Sequence, residues 1–163
     1  YLNQSDAMAR WAARKSGDLY PIEDADKCFE IDRAIGLHGD HERAFMPCLM
    51  ISMRPPSMGY PEDFAKTPEG SAKIKEMRET YAGTELPKYM KAFEDLLKKS
   101  GGPFLCGKTL TLADLYWLPR IKYLRKGTAD HIPKTCLDAY PLVLAWEAKV
   151  LKVPSVAAWY AKK

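Results

Sequence analysis

A short stretch beyond the middle of the chain contains the sequence signals of a helix start. Thr111 can act as the N-cap residue, and Asp114 can accept a hydrogen bond from the Thr111 amide in a capping box. Leu110 and Leu115 stand where a hydrophobic staple would close, and the residues that follow are apolar almost all round. Such a helix is buried, so its first turn must be capped by the protein itself. We therefore predict a structural role for Thr111 and Asp114, with a loss of about 1 kcal/mol when either is removed.

Helical periodicity continues through most of the remaining chain, and no segment alternates convincingly like a β-strand. The predicted fold class is therefore all-α, a bundle of bent helices. Gly36, Gly39 and Pro47 predict a bend or break in the second helix. Pro87 predicts a kink in the third, and Pro119 predicts a bend in the fourth. The predicted helices cover residues 4–15, 22 or 24 to 53, 68–99, 111 onward, 142–151 and 155–162, with a loop at 54–61.

Composition excludes several classes of protein. The net charge of +4 is spread over the helices without a basic stripe, so nucleic-acid binding is not expected. No apolar run reaches membrane-spanning length, so no membrane span is expected either. The four cysteines lack zinc-site spacing and are expected to be reduced, buried thiols of a cytosolic protein. They are Cys28, Cys48, Cys106 and Cys136.

A pair of histidines in the second helix raises the question of a metal site. His38 and His41 are three residues apart, with Glu42 adjacent, which is a spacing that metal ligands on one helix use. His131 is far away in sequence, and no further ligand is apparent. We therefore predict no metal ion.

The capped stretch also resembles a known family. Residues 104–114 read Phe-Leu-Cys-Gly-Lys-Thr-Leu-Thr-Leu-Ala-Asp. They are similar to the Phe-Leu-x-Gly-x-x-Leu-Thr-x-Ala-Asp pattern that begins the central helix of cytosolic glutathione transferases. Three further segments, 4–12, 86–97 and 136–159, resemble the same family in the same order. The residues around Tyr116 are most similar to its sigma class, and the closing helices to its mu and sigma classes.

The resemblance implies a thioredoxin-like glutathione-binding domain followed by a helical one. Residues 1–20 would be the remnant of the first domain, with its last strand at Tyr1 and Leu2, and residues 21–163 the helical domain. The catalytic Tyr, Ser or Cys of the family would lie upstream of Tyr1. Glutathione would be the co-substrate, and this chain would hold only part of its site.

Four residues fall where the family binds its substrates. Gln4 and Ser5 would hold the γ-glutamyl carboxylate of glutathione at a helix N-terminus, although Ser5 could equally just cap that helix. Asp40 would reach the glutathione ammonium of a partner subunit, or remain a solvated surface acid. Tyr116 would face the electrophile pocket, or be an ordinary core tyrosine.

Two functions remain open at this point. The resemblance implies a cytoplasmic detoxification enzyme, in which the complete protein conjugates glutathione to small hydrophobic electrophiles while this chain alone is inactive. It would form a homodimer, or dock on a protein partner, through the first half of the second helix. The alternative is a non-catalytic helical module that acts as a structural or docking subunit of a larger assembly.

Overall fold

The computed structural model describes residues 4–162, and it builds them almost entirely from helices. Within these residues the only strand-like pairing is an isolated bridge between Phe104 and Gly107, so the all-α prediction is confirmed. Tyr1 and Leu2, predicted to belong to the last strand of a thioredoxin-like domain, lie outside the described residues. The helices are α1 (Ser5–Ser16), α2 (Ala25–Met53), α3 (Pro68–Thr80), α4 (Leu86–Ser100), α5 (Leu112–Lys126), α6 (Pro141–Leu151) and α7 (Pro154–Ala161).

The predicted capping box is present at the start of α5. Asp114 is fully buried, and its Oδ2 atom accepts from the Thr111 amide at 2.8 Å and from the Thr111 hydroxyl at 2.9 Å. Its Oδ1 atom accepts from the Leu105 amide at 2.9 Å and from Trp146 Nε1 at 2.8 Å. One carboxylate thus joins the helix start, the preceding loop and α6, which is more than a helix cap requires.

The second helix is not broken. α2 runs without interruption from Ala25 to Met53 through Gly36, Gly39 and Pro47. A continuous row of its side chains is buried against the rest of the bundle, and this packing outweighs the weak local preference of the glycines. The buried residues are Ile31, Ala34, Ile35, His41, Phe45, Cys48, Leu49 and Ile51.

The third helical region divides where its proline suggests. A wide π-type turn, Tyr81–Glu85, separates α3 from α4, and Pro87 is the second residue of α4. Proline is tolerated in a first turn because its missing amide would have had no partner there. Short 3₁₀ turns at Pro55–Met58 and Phe64–Lys66 occupy part of the region between α2 and α3, where a loop was predicted at 54–61.

α5 lies at the centre of the molecule. Trp117 is fully buried, and its Nε1 donates to the Ala34 carbonyl of α2 at 3.0 Å. The ring of Phe93 packs edge-on against Trp117, and Trp146 packs edge-on against Phe93 in turn. The helix continues through Pro119 to Lys126. None of the described helices is both long and apolar enough to cross a membrane.

Hydrogen bonds from α1 and from the segment after it attach the first helix to this bundle. Arg10 Nε donates to Asp32 Oδ1 of α2 at 2.9 Å, and the Tyr20 hydroxyl donates to Asp32 Oδ2 at 2.8 Å. The Leu112 amide at the start of α5 donates to the Leu19 carbonyl at 2.9 Å. These bonds bring the first helix alongside α2 and α5, where the predicted site residues lie.

Candidate functional site at the junction of the first, second and fifth helices

A side-chain hydrogen bond joins the N-terminus of α1 to α5. The Tyr116 hydroxyl donates to Asp6 Oδ1 at 2.9 Å, although the two residues are 110 positions apart in sequence. Asp6 is the second residue of α1, directly after Ser5. The structure therefore brings the predicted electrophile-facing tyrosine to the helix end predicted to hold glutathione.

Gln4 and Ser5 are exposed at this helix end. The N-cap residue is Gln4, with φ of 65°, and its side chain makes no capping bond. Ser5 is the first helical residue, and no hydrogen bond of its hydroxyl occurs within residues 4–162. Ser5 therefore does not cap the helix. The first amides of α1 have no partner inside the helix, as at any helix N-terminus.

Tyr116 remains a neutral hydrogen-bond donor at physiological pH. Partial burial and its hydrogen bond to the Asp6 carboxylate raise the pKa of the Tyr116 phenol to about 12. Its ring packs edge-on against His38 of α2, with the centroids 5.6 Å apart. The side chain is half-buried, so it belongs to a pocket wall rather than to the core.

A pocket of about 340 Å³ opens beside Tyr116, between α2 and α5. Residues on α5 that contribute to it are spaced by three or four positions and so share one face of the helix. The lining residues are His38, Glu42, Tyr116, Pro119, Arg120 and Tyr123. The pocket is thus more polar than a site for purely hydrophobic molecules would be.

An ion pair forms one wall of this pocket. Arg120 donates to both carboxylate oxygens of Glu42, from Nε at 2.6 Å and from Nη2 at 2.5 Å. Burial opposes ionisation of Glu42, but the nearby His41 ring and the hydrogen bonds and charge of Arg120 prevail and lower the pKa of Glu42 to about 2. Glu42 is therefore a carboxylate at any pH at which the protein would work.

Two neutral histidines stand beside the pair. His38 Nε2 and His41 Nδ1 lie 3.5 and 3.6 Å from Glu42 Oε1. Burial lowers the pKa of both imidazoles, against the attraction of Glu42. His41 Nε2 is 2.6 Å from the Tyr81 hydroxyl, while Nδ1 is buried without a hydrogen-bond partner.

This arrangement does not resemble a metal site. Arg120 occupies both oxygens of Glu42, which leaves the two histidines without a third ligand beside them. Among residues 4–162 no group of three or more His, Cys, Asp or Glu side chains could hold a metal ion. All four cysteines are free thiols.

Asp40 lies apart from the other predicted site residues. It forms a surface ion pair with Arg43 and lines a second groove of about 480 Å³ between α2 and α4. Gly36 and Leu37 lie in the same groove. Within one chain, therefore, Asp40 does not share the pocket that contains Tyr116.

A sequence model of the family described as the glutathione S-transferase C-terminal domain matches residues 62–163. The chain belongs to this family. A glutathione S-transferase-like protein of Beauveria bassiana is 27% identical over 144 residues, which are 88% of this chain and 63% of that protein. Glutathione S-transferase alpha-1 of Rattus norvegicus is 30% identical over 69 residues, which are 42% of this chain and 29% of that protein.

Solved structures agree on the fold. Prostaglandin synthase D of Nilaparvata lugens superposes with a TM-score of 0.75 at 23% identity, over 99% of this chain and 69% of that one. A monomeric glutathione S-transferase of Necator americanus gives a TM-score of 0.71 at 24% identity, over 99% and 69%. The chain therefore spans about two thirds of the length of these two proteins and of the Beauveria bassiana relative.

Of the residues that line this pocket, sequence reasoning predicts a functional role for one and misses the ion pair. Tyr116 was predicted, but Arg120 was not, and Glu42 was considered only as a metal ligand. A usable signal existed, because Arg120 lies one helical turn after Tyr116, and Glu42 lies one turn after His38. The sequence alone could not predict that α2 packs against α5, which brings Glu42 and Arg120 together.

Proposed function

We propose that the complete protein is a cytoplasmic glutathione transferase that conjugates glutathione to small electrophiles, and that this chain supplies its helical half. The hydrogen bond between Tyr116 and Asp6 carries the proposal. It joins a pocket suited to a small ligand to an open helix N-terminus suited to a carboxylate. Because the chain belongs to the glutathione transferase family, we assign that carboxylate to glutathione.

In this proposal the γ-glutamyl carboxylate of glutathione binds at Gln4 and Ser5. The exposed Ser5 hydroxyl and the first amides of α1 are hydrogen-bond donors, and the helix dipole adds favourable potential. One such contact is worth only about 1 kcal/mol, which is too little for useful binding once association entropy is counted. The rest of the glutathione site, and the hydroxyl or thiol that activates the thiolate, must therefore come from elsewhere in the protein.

We place the remainder in an upstream thioredoxin-like domain, of which residues 1–20 would be the last part. The side of α1 opposite the bundle supports this. Ala13 is buried against the bundle, whereas Met8 and Trp11 are 38% and 59% exposed. Large apolar side chains on one exposed helix face indicate that a further surface packs there.

The groove between α2 and α4 is proposed as the dimer contact. Gly36 leaves open space for a neighbouring helix, and Leu37 supplies an apolar contact in the same groove. A second subunit there could bring its own glutathione site towards Asp40. The ion pair of Asp40 with Arg43 is exposed, so Asp40 could leave Arg43 for the ammonium group of the partner's glutathione at little cost in free energy.

A second candidate function is a non-catalytic docking module, because the exposed Met8 and Trp11 could equally pack on a partner protein. The two functions differ in their prediction for glutathione. An enzyme must bind it and a docking module need not.

The test measures glutathione binding by calorimetry and conjugation of chlorodinitrobenzene by absorbance, for the complete protein and for the 163-residue chain. We expect activity only from the complete protein. Ser5→Ala should weaken its glutathione affinity about fivefold, the equivalent of about 1 kcal/mol. Ser16→Ala is the matched control, because Ser16 ends the same helix and its hydroxyl bonds only to the Ala13 carbonyl.

Three results would contradict the proposal. A complete protein that does not bind glutathione favours the docking module. Unchanged affinity in Ser5→Ala removes the assigned carboxylate site. Conjugation by the 163-residue chain alone shows that the thiolate is activated within it, against the proposed division of labour.

A further inference from the structure

Asp6 brings an acidic side chain into the first turn of α1, beside the helix end to which the proposed function assigns the glutathione carboxylate. It is the second residue of the helix, directly after Ser5. A carboxylate in this turn is attracted by the positive end of the helix dipole, as the carboxylate of a ligand would be. An Asp6 side chain that is free to turn would therefore compete with a bound anion for the same helix end.

In the structure the Asp6 side chain has a different partner. Its Oδ1 atom accepts the hydroxyl of Tyr116 on α5 at 2.9 Å. Its Oδ2 atom has no hydrogen-bond partner among residues 4–162, and no backbone amide of the described part of α1 donates to either oxygen. The Tyr116 hydroxyl thus replaces the helix end as the partner of Asp6.

The charge of Asp6 is not neutralised by a neighbouring cation. Among the described residues no Lys, Arg or His side chain forms an ion pair with Asp6. Arg10 lies one turn later on α1, but its Nε donates to Asp32 and its Nη1 donates only to the backbone carbonyl of Asp6, at 3.3 Å. Two like charges about 4 Å apart in water weaken binding about fivefold, so the position of the Asp6 carboxylate affects any anion bound beside it.

Tyr116 is able to hold this carboxylate in one place. Burial and the hydrogen bond to Asp6 raise the pKa of the Tyr116 phenol to about 12, so the hydroxyl keeps its proton at physiological pH. Its ring packs edge-on against the His38 ring, with the centroids 5.6 Å apart. A protonated hydroxyl on a packed ring is a fixed donor, and its hydrogen bond to a carboxylate is of the strong, charge-assisted kind.

We propose that Tyr116 is a positioning residue for glutathione: it holds the Asp6 carboxylate against α5 and so keeps it away from the helix end that binds the γ-glutamyl carboxylate. The inference rests on the proposed function, because it requires glutathione at that helix end. Without the hydroxyl, Asp6 turns to the first amides of its own helix and competes with the ligand.

A competing explanation is that the hydrogen bond only ties α1 to α5. Loss of a tie would disturb the helix end whatever the charge of residue 6, whereas competition requires the negative charge of Asp6. Asparagine separates the two explanations, because its amide oxygen still accepts from a hydroxyl while the side chain is neutral. Asp6→Asn removes the competitor and keeps the tie, and Tyr116→Phe removes the tie and releases the competitor.

The test measures the dissociation constant of glutathione by calorimetry, with the complete protein and without an electrophile. We expect Tyr116→Phe to weaken binding about fivefold at low salt, the effect of one like charge near the ligand. Asp6→Asn should bind at least as tightly as the wild type. The variant that combines Asp6→Asn with Tyr116→Phe should return to wild-type affinity, because the released side chain no longer carries a charge.

Tyr20→Phe is the matched control. The Tyr20 hydroxyl donates to Asp32 Oδ2 at 2.8 Å, in a second tyrosine–aspartate bond that attaches the first helix to the bundle. Asp32 keeps its hydrogen bond from Arg10 in this variant, so no carboxylate is released towards the helix end. We expect Tyr20→Phe to bind glutathione like the wild type.

Salt gives a second readout that a tie would not produce. Asp6 is exposed, so its repulsion of the ligand is screened by ions. At about 1 M sodium chloride the screening length is about 3 Å, and the ratio of wild-type to Tyr116→Phe affinity should fall towards one. A ratio that stays the same at low and high salt would indicate a lost tie and would overturn the inference.

The remaining outcomes are also decisive. The inference is overturned if Tyr116→Phe binds glutathione as the wild type does, if the combined variant stays as weak as Tyr116→Phe, or if Tyr20→Phe loses as much affinity. A wild-type protein that does not bind glutathione refutes the proposed function, and the inference with it. Binding that is lost in Tyr116→Phe and restored by Asp6→Asn, in a protein that conjugates no electrophile, supports the inference and refutes the enzyme.

Discussion

Replacing Asp114 by alanine should destabilise the protein far more than the loss of an ordinary helix cap. The carboxylate accepts from the amides of Leu105 and Thr111, from Trp146 Nε1 and from the Thr111 hydroxyl. The hydroxyl can turn elsewhere, but three N–H donors would stay buried without an acceptor. At about 1–3 kcal/mol each, less the relief of no longer burying a charge, we expect a loss of about 3–5 kcal/mol. The sequence alone predicts about 1 kcal/mol.

Two further variants isolate the cause. Asp114→Asn keeps the shape but turns one oxygen into an NH₂ group, which faces at least one backbone N–H in either orientation, so we expect a loss of about 2 kcal/mol. Asp24 is the control, an exposed N-cap of α2 that accepts only from the Lys27 amide at 2.9 Å. Asp24→Asn should be nearly neutral and Asp24→Ala should cost about 1 kcal/mol.

The assay is urea unfolding at one protein concentration, followed by tryptophan fluorescence, with free energies of unfolding compared at equal m-values. Coupling to Trp146→Phe provides a second check, because that variant removes one of the donors. The reasoning is refuted if Asp114→Ala costs no more than Asp24→Ala, or if Asp114→Ala and Trp146→Phe are additive.

The remaining predictions concern pH, packing and assembly. Burial lowers the pKa of His41, so its contribution to stability is complete above the ordinary value of 6.5 and is lost as pH falls below it. The low pKa of Glu42 predicts a further loss of stability as pH falls below 4.5. Urea unfolding across these pH values should show both losses, and His41→Phe should reduce the one that begins near pH 6.5. Gly70→Ala would put a Cβ 1.8 Å from a backbone oxygen and should cost about 2 kcal/mol or more by urea unfolding, whereas Gly83→Ala meets nothing within 4 Å and should not destabilise. Leu37→Glu should turn a dimer into a monomer by light scattering, and a wild-type monomer at high concentration would refute the dimer contact.

Local signals predicted the helix ends better than the helix interiors. The capping pair Thr111 and Asp114 predicts the start of α5 to the residue, because a capping box acts within one turn. The continuity of α2 could not be predicted, since Gly36 and Gly39 weaken a helix by only about 1 kcal/mol each and tertiary packing readily exceeds that. Pro87 was placed correctly, but the width of the turn before it depends on how α3 and α4 pack against α2.

The candidate site was predictable only where it repeats a family pattern. Tyr116 follows the capping motif at a fixed distance, so the resemblance could assign it. Arg120 and Glu42 are 78 residues apart, and nothing local in either segment predicts their bidentate contact. Each looks like an ordinary charge on a helix surface until α2 and α5 are placed side by side.

The register between those two helices therefore determines the chemistry of the pocket. Trp117 sets it, because its buried Nε1 is bound to the carbonyl of Ala34 at 3.0 Å. His38 lies one turn after Ala34 on α2, and Tyr116 precedes Trp117 on α5, so the tie lies directly beneath the pocket. Trp117→Phe would remove this donor, while the Ala34 carbonyl keeps its bond within α2, and would allow the two helices to slide. If the register positions Arg120 against Glu42, this substitution should also reduce the loss of stability below pH 4.5 that the low pKa of Glu42 predicts. An unchanged loss would mean that the Glu42 pair alone holds the guanidinium in place.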